Sequence, residues 1–257
     1  MSTRSCAHFS VAGMMLAAAM TLSADPLNVL YFEDSARGSS AVPGGIALAG
    51  DTGTAATSES DFLAKLTGGT WDAVIYGVEG NNYSDPGSIG TALSNYVAGG
   101  GNLIASTWLT ASPGANGPDI LPLMDASNPV ENDSSPMIND GSFIFAGVSG
   151  DVDTTVGSNS YSIYVQTYTP LAGGTGFSPK GDGSFYAIVG NGGHTILDGP
   201  LFTSFTDLGQ GEQIVANELG TFTAGDHPVP EPSSVLLLGT GLLGFAAMLR
   251  RRHYDRS

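Results

Sequence analysis

The chain has 257 residues, 24 acidic against 8 basic, a formal net charge of −16 and one cysteine. Acidity on that scale excludes binding to a nucleic-acid backbone, because no basic patch is available to neutralise phosphates. The one thiol, Cys6, falls in an N-terminal apolar stretch, so the rest of the chain has no disulfide, cysteine nucleophile or thiolate metal ligand.

Arg4, the apolar run Val11 to Leu22 and the small residues Ser23 and Ala24 read as a secretory signal peptide over residues 1–24, a substrate of the Sec translocon. Residues 25–222 are then one body. Between Asp25 and Asp226 there are 22 acidic residues and only Arg37, Lys65 and Lys180 as bases, a net charge of −19. Such a surface favours solubility and association with cations. The 37 glycines fall between apolar segments and therefore read as turns of a loop-rich globular fold.

Leu27 to Phe32 reads as a buried strand ending in Glu33-Asp34, and Pro43 to Ala49 as a short helix closed by Gly50. Ser58-Glu59-Ser60-Asp61 fits a capping box ahead of Phe62, Leu63 and Leu66, with Gly68-Gly69 as the stop. Trp71 to Val78 is a second strand. Ile89, Ala92, Leu93, Tyr96 and Val97 form one apolar helical stripe, ended by Gly99-Gly100-Gly101 before a third strand at Leu103 to Ala105. This alternation predicts right-handed crossovers and a flavodoxin-like three-layer α/β sandwich with a mostly parallel sheet. Residues 112–140 read as loop. Short strands are expected at Phe143 to Phe145, Tyr161 to Tyr168 and Tyr186 to Val189. The last returns through an Asn191-Gly192 turn as the hairpin strand His194 to Leu197. A helix from Gln210 to Leu219 buries Ile214, Val215 and Leu219, and residues 223–228 read as a linker.

The order of these elements resembles the class I glutamine-amidotransferase-like fold, and its ThuA-like branch in particular. The carrying residues are Asn28 to Phe32, Trp71 to Gly77, and Asn95-Tyr96-Val97 running through the three glycines into Leu103-Ile104. That resemblance implies a cysteine at a tight turn after a strand, activated by histidine and a carboxylate. The body has no cysteine and no Gly-x-Ser-x-Gly, so no thioester can form and glutaminase chemistry is excluded.

Ser106 and Thr107 stand where parallel strands deliver ligand-facing residues, and His194 could serve them as a base, with Asp198 as its orienting carboxylate. The alternative is hydroxyls bonded to backbone and an outward hairpin histidine. Asp151-Val152-Asp153 and Glu131-Asn132-Asp133 offer hard oxygen ligands suited to calcium, although neither has EF-hand spacing; solvated loops are the other reading. His194 and His227 have no partners at zinc-ligand spacing, and no other cofactor is expected. Tyr161, Tyr164, Tyr168, Phe143 and Phe145 suit either sugar stacking or core positions.

The last segment has three parts: Pro230-Glu231-Pro232, an uncharged run at 233–249 long enough to cross about 30 Å of hydrocarbon as a helix, and Arg250-Arg251-Arg252. It resembles the PEP-CTERM sorting signal, whose arginines stay on the cytoplasmic side. The resemblance implies recognition and cleavage by an exosortase, a membrane-anchored precursor, delivery to the envelope or extracellular matrix, and an exopolysaccharide setting. The reading of the whole chain is an exported protein whose body serves a non-catalytic structural or binding role. A carbohydrate-directed hydrolase and a calcium-dependent surface binding protein are the alternatives.

Overall fold

The computed structural model describes residues 25–34, 38–79, 86–108, 119–132, 136–154 and 165–223. The expected signal peptide, the apolar span 233–249, the sorting tail, Tyr161, Tyr164 and His227 lie outside the described residues. Among the described residues, no helix is long and apolar enough to cross a membrane.

β1 (Asn28–Asp34), α1 (Ala41–Ala49), β2 (Thr52–Ala55), α2 (Glu59–Gly68), β3 (Ala73–Val78), α3 (Pro86–Ala98) and β4 (Asn102–Thr107) alternate along the first half. β5 (Ala126–Asn132), β6 (Val165–Pro170), β7 (Thr175–Pro179), β8 (Phe185–Gly190), β9 (Thr195–Asp198) and α4 (Leu208–Thr223) follow. The sheet runs β2-β1-β3-β4-β9-β8-β6-β5, with β7 also paired to β8. The first five strands of that order are parallel neighbours. Counting parallel strands alone, the order is 2-1-3-4-5, that of flavodoxin-like sheets. From β9 outward every pairing is antiparallel, so the sheet is mixed, and the expected lone hairpin is part of a four-strand extension.

Local chemistry sets the element ends. The Ser40 hydroxyl accepts the Val42 N–H at the start of α1, and Gly50, at φ 82°, closes it by donating to Ala47 and Ile46 carbonyls. Ser58 caps α2 by accepting from Asp61 N–H, while the Asp61 carboxylate reaches back to Thr57 N–H at 2.8 Å. β3 and β4 are buried at all six positions each, as strands covered on both faces must be. Val29, Ala73, Ile75, Ile104 and Ile196 face α1, α4 and a 3-10 turn at Phe143–Phe145. Leu30, Phe32, Val74, Tyr76, Leu103 and Leu197 face α2, α3 and a second turn at Pro122–Met124.

Three local expectations need correction. Phe143–Phe145 is a 3-10 turn, not a strand, because Ile144 and Phe145 are buried against α4 and Asn217 donates to the carbonyls of Ile144 and Ala146. The stretch read as loop contains β5, whose Pro129 is tolerated because the strand lies at the sheet edge. β2 was hidden by its composition: Thr-Gly-Thr-Ala on the opposite edge is mostly exposed and shows no apolar run.

α1 and α4 lie side by side and run in the same direction. Ala41 sits beside Gly211, Gly44 beside Glu212, and Gly45 beside Val215. α1 connects the end of β1 to the start of the parallel β2, so both helices run from the C-terminal edge of the sheet to its N-terminal edge. A Cβ on Gly45 would lie 2.5 Å from the Val215 Cβ and 2.9 Å from the Glu212 carbonyl oxygen. Gly45→Val should therefore destabilise the fold by about 3 kcal/mol, the upper range for overpacking, despite its better helix propensity. A lowered urea midpoint with unchanged m would show it.

Candidate functional site

In open parallel sheets, ligands bind beyond the C-terminal strand ends, at the point where strand order reverses. Here that point lies between β1 and β3, and it is acidic. Glu33 and Asp34 end β1, and Glu79 follows β3. One row crosses the sheet just inside this edge: Glu33 is in register with Gly77, Gly77 with Ser106, and Ser106 with Asp198.

Each position in the row is filled by another part of the chain. The Ser40 hydroxyl bridges both Glu33 carboxylate oxygens at 2.6 and 2.7 Å. Phe202 lies over Gly77, where an added Cβ would come within 2.9 Å of its ring. The Ser106 hydroxyl donates to the Pro200 carbonyl at 2.6 Å. Asp198 meets Glu218 of α4. The segment 199–205 that supplies Pro200 and Phe202 is buried throughout. It is tied down twice more. Glu79 accepts the Thr203 N–H at 3.0 Å and the Thr203 hydroxyl, and Phe202 offers its carbonyl to Ala41 N–H at 3.0 Å.

That last contact closes an anion site. The first N–H groups of a helix beside this crevice are what would hold a phosphate. At α1 they go to Phe202 O and Ser40 Oγ, 3.0 and 2.9 Å away, next to three carboxyl side chains. Asp34 is committed as well, its Oδ1 accepting Glu79 N–H at 2.6 Å.

The carboxyls of the row titrate unusually. Burial, opposed by the Ser40 hydrogen bond and reinforced by the nearby Glu79 charge, lifts Glu33 to about 7. Burial also lifts Asp198 to about 7, with the Glu218 contact acting in the opposite direction. Glu218 is raised well above the ordinary carboxyl range, by burial first and the Asp198 charge second.

The candidate trio from the sequence does not assemble. Ser106 and Thr107 are buried at the C-terminal end of β4. His194 precedes β9 at the opposite edge, where its Nδ1 lies 2.9 Å from Asn102 Oδ1 and its carbonyl accepts from Leu103 N–H. Four residues separate it from the row position facing Ser106, about 13 Å along a strand, which is beyond any proton transfer between the two. Asp198 is equally far from His194 and faces α4 instead.

Asp151 holds Asn139 N–H at 2.9 Å, and the Asp153 carbonyl holds Thr206 N–H. Asp133 lies outside the described residues. Among the described residues, no group of three or more His, Cys, Asp or Glu is placed to hold a metal ion. Tyr168 and Phe145 are core residues with no face open to a sugar, and the half-buried Phe143 packs edge-on against Phe177. A shallow groove of about 650 Å³ lies between α2 and α3, lined by Leu63, Thr67, Thr91 and Asn95 among others. It carries no titratable group.

Sequence reasoning missed Glu218 and Phe202. Glu218 was detectable as the one charged position within the stripe Ile214, Val215, Leu219, Phe222. Nothing local to Phe202 predicts that it folds back over Gly77.

Three solved structures are similar in fold. A protein described as ThuA-like from Bacteroides uniformis ATCC 8492 is 13% identical, covers 76% of this chain and 90% of its own, and has a TM-score of 0.46. A protein named as one component of a GMP synthase from Thermoplasma acidophilum is 12% identical, covers 76% and 94%, and has a TM-score of 0.46. PurLQS from Thermotoga maritima is 11% identical, covers 76% and 98%, and has a TM-score of 0.40. No curated protein matches the chain. The family of the PEP-CTERM protein-sorting motif matches residues 228–252, the stretch that holds Pro230-Glu231-Pro232, the apolar run and Arg250-Arg251-Arg252. The chain therefore ends in a PEP-CTERM sorting motif, the signal that exosortase recognises.

Proposed function

We propose that this chain is an exported, exosortase-processed protein whose α/β body is a non-catalytic structural or binding component of the envelope or extracellular matrix. The observation that carries the reading is the filled crevice among the described residues: Pro200 and Phe202 occupy the place where sheets of this order take ligands, and the first α1 amides are already bonded. Hydrolysis would need a nucleophile and a base on one side of the sheet, whereas Ser106 and His194 stand at opposite edges. The sorting motif supports export. The expected signal peptide at 1–24 gives it an entry route through the Sec translocon, and the run 233–249 holds the precursor in the membrane until cleavage. The acidic body, low in bases, suits a solvated matrix and repels anionic lipid.

Mass spectrometry of the protein released from cells should find a chain ending close to Glu231. Replacing Pro230, Glu231 and Pro232 together by alanine should leave the uncut chain with the membranes. An intact C-terminus in the released protein would reject exosortase processing. Turnover of glycosides or esters by the purified body, lost on Ser106→Ala, would reject the non-catalytic reading.

A further inference from the structure

α4 lays an apolar stripe against α1 and the sheet, formed by Ile214, Val215, Leu219 and Phe222. Glu218 interrupts it. Its side chain has 0% exposure, and opposite it stands Asp198, 3% exposed, the last residue of β9. The two carboxyl groups are within hydrogen-bonding reach of each other. Asp198 Oδ1 and both Glu218 oxygens have no other partner among the described residues.

An ionised carboxylate only accepts hydrogen bonds, so two of them in contact satisfy nothing. Two adjacent negative charges buried in an apolar layer would also repel with little screening. One proton held between them answers both problems. We propose that Asp198 and Glu218 share a proton, and that this proton is a pH-dependent latch holding α4, the helix that leads toward the sorting motif, against the sheet.

Among the described residues, the surroundings offer no substitute for the proton. α1 and the Phe143–Phe145 turn present no titratable group to α4. β1 contributes Tyr31 and Glu33, β8 contributes Tyr186, and Ser106 on β4 does not ionise. On α4 itself the other acid is Glu212, beside Gly44. Lys65 is on α2, across the sheet, bonded to Asp61 at 2.5 Å, and Lys180 follows β7. Arg37 lies outside the described residues. Among the described residues, no cation stands against either carboxyl. Both groups bind a proton more tightly folded than unfolded. Their stabilising effect is therefore complete on the acid side and is lost as pH rises through about 7 for Asp198 and through the raised value that burial and the Asp198 charge give Glu218.

The test uses the full chain in detergent micelles, with three readouts. First, infrared spectra of the wild type at neutral pH should show a buried protonated-carboxyl stretch that Glu218→Gln and Asp198→Asn each diminish. Second, hydrogen exchange over 208–223, corrected for intrinsic rate, should accelerate about tenfold or more relative to β3 and β4 as pH rises from about 6 to about 9, one pKa unit of coupling being worth a factor of ten. Third, thermal melting of either amide variant should lose part of the fall with pH that the wild type shows, the part due to Glu33 remaining. The exchange measurement needs only the wild type, so a variant that fails to fold does not block the test. Absence of the protonated band in the wild type, or equal acceleration of α4 and the central strands, overturns the latch. A wild-type melting midpoint at alkaline pH that calcium raises, with no rise in the variants, also overturns it, by assigning the oxygens to a cation.

Discussion

Phe202→Ala lowers the stability of the body by about 3–5 kcal/mol, the usual range for truncating a fully buried aromatic ring. Phe202 is 1% exposed and belongs to the same core as Val29, Ile75 and Ile104. Its ring fills the space that Gly77 leaves on the row between Glu33 and Ser106. The neighbours cannot collapse into the gap, because both sides are pinned: Ala41 N–H holds the Phe202 carbonyl, and Glu79 holds Thr203 through backbone and hydroxyl. These bonds survive the substitution, so the cavity term should be close to its full value. Urea unfolding followed by circular dichroism measures this as a lower midpoint at unchanged m. A loss below about 1 kcal/mol would mean that the ring is not seated as a core residue.

Glu33→Gln stabilises the body at mildly alkaline pH by about 3 kcal/mol and has almost no effect near pH 4. Glu33 is raised from 4.5 to about 7. The native state therefore holds its proton where the unfolded chain has lost it, and stability falls with rising pH between those two values. Each pKa unit is worth about 1.4 kcal/mol, which sets the size of the gain when the charge is removed. Glutamine keeps an oxygen for the Ser40 hydroxyl, so the cap on α1 survives, since Ser40 Oγ still accepts Val42 N–H. Melting midpoints of the wild type and variant across the pH range should converge on the acid side and diverge on the alkaline side. Parallel curves would show that Glu33 does not carry the pH dependence.

The parallel half of the sheet was legible because burial on both faces leaves unbroken apolar runs, as at Val29 to Phe32 and Ala73 to Tyr76. The helices announced themselves through Ser58, Gly50 and the stripe from Ile89 to Val97. What escaped was set by tertiary context. β2 and β5 lie at the sheet edges, where nothing obliges a strand to be apolar. Phe143 to Phe145 has the composition of a strand, yet α4 captures its carbonyls through Asn217. At the site, Ser106 lies at a strand end, but the partner of its hydroxyl lies 94 residues later in the sequence, at Pro200. His194 looked close to Ser106 only because strand ends carry no label for which edge they occupy until the parallel pairing of β4 and β9 is known.

The shared direction of α1 and α4 also decides how the body is held. β1 enters from the N-terminal edge of the sheet, and α4 returns to that edge before the chain continues past Thr223. Entry and exit are thus at the same pole. A tether at either end would therefore leave from the pole opposite to Phe202, Glu33 and Glu79.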